Sequence, residues 1–183
     1  MLIDMTMYHG TTLVIGKVNL EKSRLRLDFG KGFYLADKQG TAHIWAKNKT
    51  IQLNSGSPTI LAYTVDNGIY ETNGKRFSSL PEEEWLEFIC FNRRRGNKGD
   101  EPRHDYNWIS GPIANDKVYN VVDNYMDGVI GVREAIKQAR TLPQTYQLSL
   151  HTPLALRFLN EDNVVYKQFK NNGWSKNWIK RWI

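Results

Sequence analysis

Cysteine is nearly missing from these 183 residues. The single thiol, Cys90, excludes an internal disulfide framework and a cysteine-based zinc site. It falls in an apolar helical pattern with Trp85, Leu86, Phe88 and Ile89, which reads as a small buried hydrophobe. Long hydrophobic runs are also lacking: none approaches the roughly eighteen residues of a membrane-spanning helix. The opening Met1-Leu-Ile-Asp-Met-Thr-Met has no basic leader before an apolar stretch, so no secretory signal is expected. These absences make a cytoplasmic protein without membrane contact the expectation. The common catalytic signatures are missing too: no GxxxxGK[ST] phosphate loop, no HExxH, no GxSxG. His43 and His104 have no metal-spaced companion, so no metal is expected.

What is present is a globular composition, 40% hydrophobic and 12% aromatic, with no composition shift that marks a linker. One domain over residues 1–183 is expected. Charge is uneven: residues 1–92 hold ten basic and ten acidic side chains, and residues 93–183 hold fifteen against nine. The net +6 therefore lies in the second half, in Arg93-Arg94-Arg95 and in a basic, tryptophan-rich tail at 170–183. That tail sets Lys176, Lys180 and Arg181 among Trp174, Trp178 and Trp182. Cations interleaved with aromatics suit a phosphate backbone and its bases, although a charge run also serves as a plain solvated face.

Hydrophobic patterning predicts a short strand at 6–9 and a glycine-rich loop from 28 running into a strand before Asp37. Asp37 is expected to cap a helix carrying Ala42, Ile44, Trp45 and Ala46. The run Thr59–Val65 reads as a strand closed by Asp66-Asn67-Gly68. Ser79-Leu80-Pro81-Glu82 reads as a helix start, with the helix running to 93–95. A mobile loop is expected at 95–104, a strand at 108–110, and a break at Gly111-Pro112. Helices follow at 116–125 and 132–140, separated by Gly128 and Gly131. A strand at Tyr146–Leu150, a short helix at 153–159 and a strand at 164–169 complete the reading. Strands and helices mix without a βαβ rhythm, which argues an α+β fold.

Chemistry concentrates in two segments. His9 closes the first strand and is followed by Gly10 and Thr11. Some twenty residues on, Asp28-Phe29-Gly30-Lys31-Gly32-Phe33-Tyr34-Leu35-Ala36-Asp37 offers two glycines for close backbone approach and a flat aromatic face in Tyr34. Singly, His9 can cap a strand end, Tyr34 can be core and Asp116 can cap a helix. Their order together carries more.

The segment from Phe29 to Asp37 resembles the FGKGIYFAD segment of the poly(ADP-ribose) polymerase branch of ADP-ribosyltransferases, and Tyr8-His9-Gly10-Thr11 resembles that superfamily's first motif. More closely, the chain is similar to a bacterial group in that superfamily, catalogued mainly as a domain of unknown function. The group shares Tyr-His-Gly-Thr, Asp-Phe-Gly-Lys-Gly-Phe-Tyr and a Gly-Pro-x-Ala-Asn-Asp segment, here Gly111 to Asp116 after Asp105. It also shares a late strand starting with glutamine, here Gln147. The resemblance covers about residues 5–160 and leaves the tail outside.

It implies split antiparallel β-sheets with peripheral helices, and NAD as the substrate. Nicotinamide leaves the anomeric carbon through an oxocarbenium-like centre, as in glycoside cleavage. The resemblance gives His9, Tyr34 and Gln147 the catalytic positions. His9 would bond the adenosine-side ribose, Gly10 would pair with the nicotinamide amide, and Tyr34 would stack on its ring. Thr11 and Gly32 would complete the binding set, and Lys31 with Arg24 or Arg26 are diphosphate candidates. The branch has a glutamate where Gln147, or Gln144 in a register shifted by three, stands here. An amide can hold a hydroxyl but takes no proton. Asp105, Asp116 or Glu134 are the possible acidic helpers. The expected activity is mono-ADP-ribosyl transfer by a bacterial toxin or phage-defence effector. Its acceptor is nucleic acid slightly before protein, and an antitoxin is a possible partner. NAD glycohydrolysis and a silent NAD- or nucleic-acid-binding module are the rivals.

Overall fold

Thr59–Val65 is a β-branched and aromatic run, and it forms the strand that the alternation predicts, here β3. Around it, in the computed structural model, which describes residues 4–94, 104–114, 116–170 and 173–180, the elements follow an α+β order. They are β1 (Met5–Thr11), β2 (Phe33–Ala36), α1 (Gln39–Leu53), β3, β4 (Gly74–Arg76), α2 (Glu83–Arg93), β5 (Trp108–Pro112), α3 (Asp116–Met126) and α4 (Val132–Thr141). Then come β6 (Tyr146–Leu150), α5 (Pro153–Leu156), β7 (Leu159–Lys170) and β8 (Gly173–Lys180). The loop expected at 95–104 lies outside the described residues up to 103. So do the side chains of Asp116 and of the basic tail from 170 onwards.

The strands form an eight-stranded sheet in the order β4-β5-β6-β2-β1-β3-β7-β8. All pairs are antiparallel except β4 with β5, so the expectation of purely antiparallel strands is corrected at that edge. The sheet has a weak seam. β1 and β2 share one register pair, Tyr8 with Ala36, whereas β1 pairs with β3 at seven positions. The two halves are therefore β4-β5-β6-β2 and β1-β3-β7-β8.

One face of the sheet buries Met7, Phe33, Leu35, Leu61, Tyr63, Leu148 and Leu150 beneath the 3-10 turn at Asn67–Glu71 and α5. The opposite face carries α1 over β1, and α2, α3 and α4 over the other half. Phe29, fully buried, stacks against Phe77 in this second core. Burying such a ring contributes roughly 2–3 kcal/mol. Gly10 shows how closely α1 sits: a Cβ there would lie 2.1 Å from the Ala42 carbonyl oxygen.

Several boundaries depart from the sequence expectation, each for a tertiary reason. Asp37 does not cap α1, whose N-cap is Lys38 with no side-chain bond. Instead its Oδ1 accepts from the Tyr146 N–H at 3.1 Å and its own N–H donates to the Tyr146 carbonyl, which lengthens the β2–β6 ladder. Helix α2 starts at Glu83, not after Ser79, because the Pro81 carbonyl accepts from Arg140 Nε of α4 at 2.8 Å. Gly111-Pro112 is no break: both residues continue β5, paired with Gln147 and Tyr146. Gly111 leaves room for Phe77 and Phe29, which a Cβ would meet at 3.0–3.3 Å.

Candidate functional site

The segment from Asp28 to Gly32 leads into β2 as a strap whose backbone is bonded at nearly every step. It begins with a turn in which Gly30 N–H donates to the Leu27 carbonyl at 3.0 Å, and Gly30 takes φ +84°, where only glycine is unstrained. The Tyr34 hydroxyl accepts from Phe29 N–H at 3.0 Å and donates to the Gly30 carbonyl at 2.6 Å. His104 Nε2 donates to the Phe29 carbonyl at 2.9 Å, and His151 Nδ1 donates to that of Lys31 at 2.8 Å. Ser23 Oγ donates to the Gly32 carbonyl at 2.7 Å and accepts from Gly32 N–H at 3.0 Å. A Cβ on Gly32 would lie 2.7 Å from His151 Nδ1. The glycines thus let side chains reach the backbone, and the strap is rigid before any ligand arrives.

Asp28 anchors the strap. Its Oδ1 accepts from Arg93 Nη2 in a buried ion pair, and its Oδ2 accepts from the Ala114 N–H at 3.1 Å and from Gln147 Nε2 at 3.0 Å. The Arg93 guanidinium also lies 4.5 Å from the Tyr119 ring centroid. Three parts of the chain, α2, the segment just after β5, and β6, are therefore tied to one carboxylate.

His9 sits at the seam. Beyond Tyr8, β1 continues through His9, Gly10 and Thr11 with register partners on the β3 side alone, namely Leu61, Ile60 and Thr59. The His9 ring stacks on Phe33 at 4.4 Å, and its Nδ1 lies 2.8 Å from the Tyr34 carbonyl oxygen. A carbonyl can only accept, so Nδ1 carries the proton and Nε2 is an acceptor with no hydrogen-bond partner among the described residues. Burial, with a smaller push from Lys49, lowers the His9 pKa to about 4. His9 is neutral at pH 7. Lys49, on α1, is lowered by burial and then by the Arg24 charge, so one cation lies near this ring and a second lies near Lys49. Among the described residues neither cation has an ion-pair partner.

Behind the strap lies a second cluster. Ser149 Oγ and His151 Nε2 are 2.8 Å apart, and because His151 Nδ1 is the donor to Lys31, the serine hydroxyl donates. His104 meets His151 edge to face at 4.5 Å. Burial, then the neighbouring His104, lowers His151 to about 3, and burial lowers His104. Ser149 is fully buried, so this serine and histidine brace the strap and do not present a nucleophile.

The predicted site residues divide between the two faces of the sheet. Register puts His9 with Leu61, on the face of Phe33 and Leu35, while Tyr34 pairs with Ser149 and Ala36 with Gln147 on the other. His9 and Tyr34 meet through a backbone carbonyl, not side chain to side chain. Gln147 is 3% exposed and bonded to Asp28 and to the Pro112 carbonyl at 3.4 Å. Gln144 lies outside the strand, donating to the Ala139 and Leu142 carbonyls. Thr11 is buried against Thr59, and Gly10 against α1. Lys31 pairs with Glu21 at 2.7 Å, while Arg24 and Arg26 are exposed. Asp105 is exposed and Glu134 bonds Gln138 on α4; among the described residues neither contacts His9, Tyr34 or Gln147. A pocket of about 570 Å³ opens elsewhere, lined by Lys75, Phe88, Arg94 and Tyr106, and His9 does not line it.

Sequence reasoning missed Lys49, Ser149, and the roles of Asp28, Arg93, His104 and His151. Lys49 carried a weak signal, a cation one helical turn past Trp45. The others had none, because their partners are distant in the chain.

The chain is thus an α+β protein with a seamed mixed sheet and a cross-braced strap beside a neutral histidine. It belongs to the family described as protein of unknown function DUF3990, whose model matches residues 5–160. No curated protein and no solved structure matches it.

Proposed function

We propose that this protein is an NAD-dependent mono-ADP-ribosyltransferase that moves ADP-ribose onto a macromolecule. The observation that carries the reading is the state of His9: neutral, fixed by the Tyr34 carbonyl, with Nε2 an acceptor without a partner among the described residues at the opening between the sheet halves. A ribose hydroxyl is the donor such an atom fits. Lys49 supplies positive charge beside it, with Arg24 next to Lys49, suited to a diphosphate. The resemblance of Tyr8-His9-Gly10-Thr11 and of the strap to the ADP-ribosyltransferase motifs points the same way.

In this reading the bond between the anomeric carbon and the nicotinamide nitrogen breaks, its electron pair leaving with nicotinamide. The acceptor's lone pair forms the new bond, and the acceptor's proton goes to solvent. The protein contributes grip and orientation more than proton transfer. His9 holds a ribose, Gly10 pairs with the nicotinamide amide and Tyr34 both fixes His9 and braces the strap. The basic second half favours a nucleic acid acceptor over protein. A toxin or defence effector in the cytoplasm, held in check by an antitoxin, is the setting we infer.

Incubating the protein with NAD labelled in the adenylate half and a cell lysate tests this. Label should move to macromolecules, fall at least tenfold with His9→Ala, and be released by nuclease. Release by protease instead would make protein the acceptor. Free ADP-ribose formed equally fast without lysate would make the enzyme a glycohydrolase, and no opening of NAD would sink the reading.

A further inference from the structure

The last strands carry a pattern that the candidate site leaves unused. No acidic residue follows Asp162 in the sequence, while Lys167, Lys170, Lys176, Lys180 and Arg181 stand among Tyr166, Phe169 and three tryptophans. Most of this run becomes a two-stranded ribbon at the edge of the sheet, β7 paired antiparallel with β8.

Register fixes which residues share a face. Lys167 pairs with Ile60 and Val165 with Ala62, on the side where Gly10, the other partner of Ile60, meets α1. Tyr166 pairs with Leu61 and belongs to the opposite side, with the core around Met7 and Phe33. Strand alternation then puts Val165, Lys167 and Phe169 on the α1 side. Their partners across the ladder are Trp178, Lys176 and Trp174, with Lys180 two positions on. Two lysines therefore stand directly opposite each other between aromatic positions. Like charges so placed destabilise a ladder. Lys167 Nζ bonds the neutral Gln39 amide at 3.4 Å and, among the described residues, no carboxylate. The face is also uncovered: α1 packs on β1, β2 and β3, and no described helix is laid across β7 or β8 on this side. Phe169 is 39% exposed. The flank adds charge of the same sign, since Lys38 and Lys47 are exposed and no acid stands between Lys38 and Val65.

We propose that the α1 side of the β7–β8 ribbon is a binding surface for single-stranded nucleic acid. A phosphate between Lys167 and Lys176 turns their repulsion into attraction, and the aromatic positions on either side are spaced along the strands for unpaired bases to stack. A duplex keeps its bases inside its own stack and offers this face only charge. A membrane surface fits less well, because it needs an apolar face segregated from the basic one. Here Trp174, Lys176, Trp178 and Lys180 alternate on a single face. The surface lies outside the part of the chain that the family model matches, and it needs no NAD chemistry.

Fluorescence anisotropy of the full chain with a labelled oligouridylate of about 12 nucleotides tests this. Affinity should fall as salt rises, and the log–log slope should shrink by about 1.4 in Lys176→Gln/Lys180→Gln, two phosphate contacts at about 0.7 each. Trp174→Leu/Trp178→Leu keeps apolar bulk without rings and should bind at least tenfold more weakly. Trp174→Phe/Trp178→Phe keeps rings and should stay within about threefold of the parent. The duplex of the same oligouridylate with oligoadenylate should bind at least tenfold more weakly than the single strand. A leucine variant that binds like the parent overturns the proposal, and so does a duplex bound as tightly as the single strand. Binding to vesicles of phosphatidylcholine and phosphatidylserine at 3:1 without binding to the oligonucleotide would assign the face to a membrane and also overturns it. If the leucine variant does not fold, the lysine variant decides: an unchanged salt slope overturns the proposal and the reduced slope supports it. His9→Ala should bind like the parent, so a chain that opens no NAD would remove the transferase reading and leave this surface standing.

Discussion

Acidification from pH 7 to pH 4.5 should weaken this fold chiefly through His9 and His151, both held neutral. His151 donates Nδ1–H to the Lys31 carbonyl and accepts the Ser149 hydroxyl at Nε2, so neither nitrogen has room for a solvated charge. Burial lowers its pKa to about 3, and that of His9 to about 4, from 6.5 when unfolded. A depressed folded-state pKa means that the unfolded chain binds the proton first. The stabilisation is therefore complete above about pH 6.5 and is lost as pH falls towards the folded values. Each histidine contributes a slope of about 1.4 kcal/mol per pH unit in that window, or about 2–3 kcal/mol between pH 7 and 4.5. Together they amount to about 5 kcal/mol, a large part of a typical domain's stability. Urea unfolding at half-unit pH steps measures the slope directly. His151→Gln keeps a donor and an acceptor but cannot charge, so it should lower stability at pH 7 while flattening the acid slope by about 1.4 kcal/mol per unit. Carboxylates contribute equally to both chains, so the difference in slope is the measurement. Parallel curves for parent and variant would refute the claim that a neutral His151 braces the strap.

Other consequences are as direct. Gly10→Ala would drive a methyl into the α1 backbone at 2.1 Å and should cost at least about 3 kcal/mol, read as a Tm lower by about 10 °C. Arg93→Ala should cost about 3–5 kcal/mol in urea unfolding, because it leaves Asp28 buried without its cation. On the proposed transferase reading, Lys49→Ala should raise KM for NAD several-fold with kcat unchanged, as expected for a cation that would bind ground and transition states alike. The Cys90 thiol, 2% exposed and pushed up to about 11 by burial, should react with a disulfide reagent only at the rate of unfolding.

The sequence by itself determined the elements whose pattern is local. Thr59–Val65 and Tyr146–Leu150 fold as their β-rich alternation predicts, and α3 and α4 follow their apolar periodicity with Gly128 and Gly131 between them. The glycines of the strap and the neighbourhood of His9 were legible for the same reason, since a turn at φ +84° is a property of a few adjacent residues. Only the tertiary structure decided what is long-range. β4 is three residues of lysine, arginine and glycine, and it is a strand because β5 pairs with it. Helix α2 starts late because an arginine 59 residues away takes the Pro81 carbonyl. Most tellingly, Gln147 looks in sequence like a catalytic carboxylate lost. In the fold it is an amide whose direction is set by Asp28, 119 residues earlier. Such a choice of residue type depends on the charge of the group opposite, and only chain folding brings that group into hydrogen-bond range.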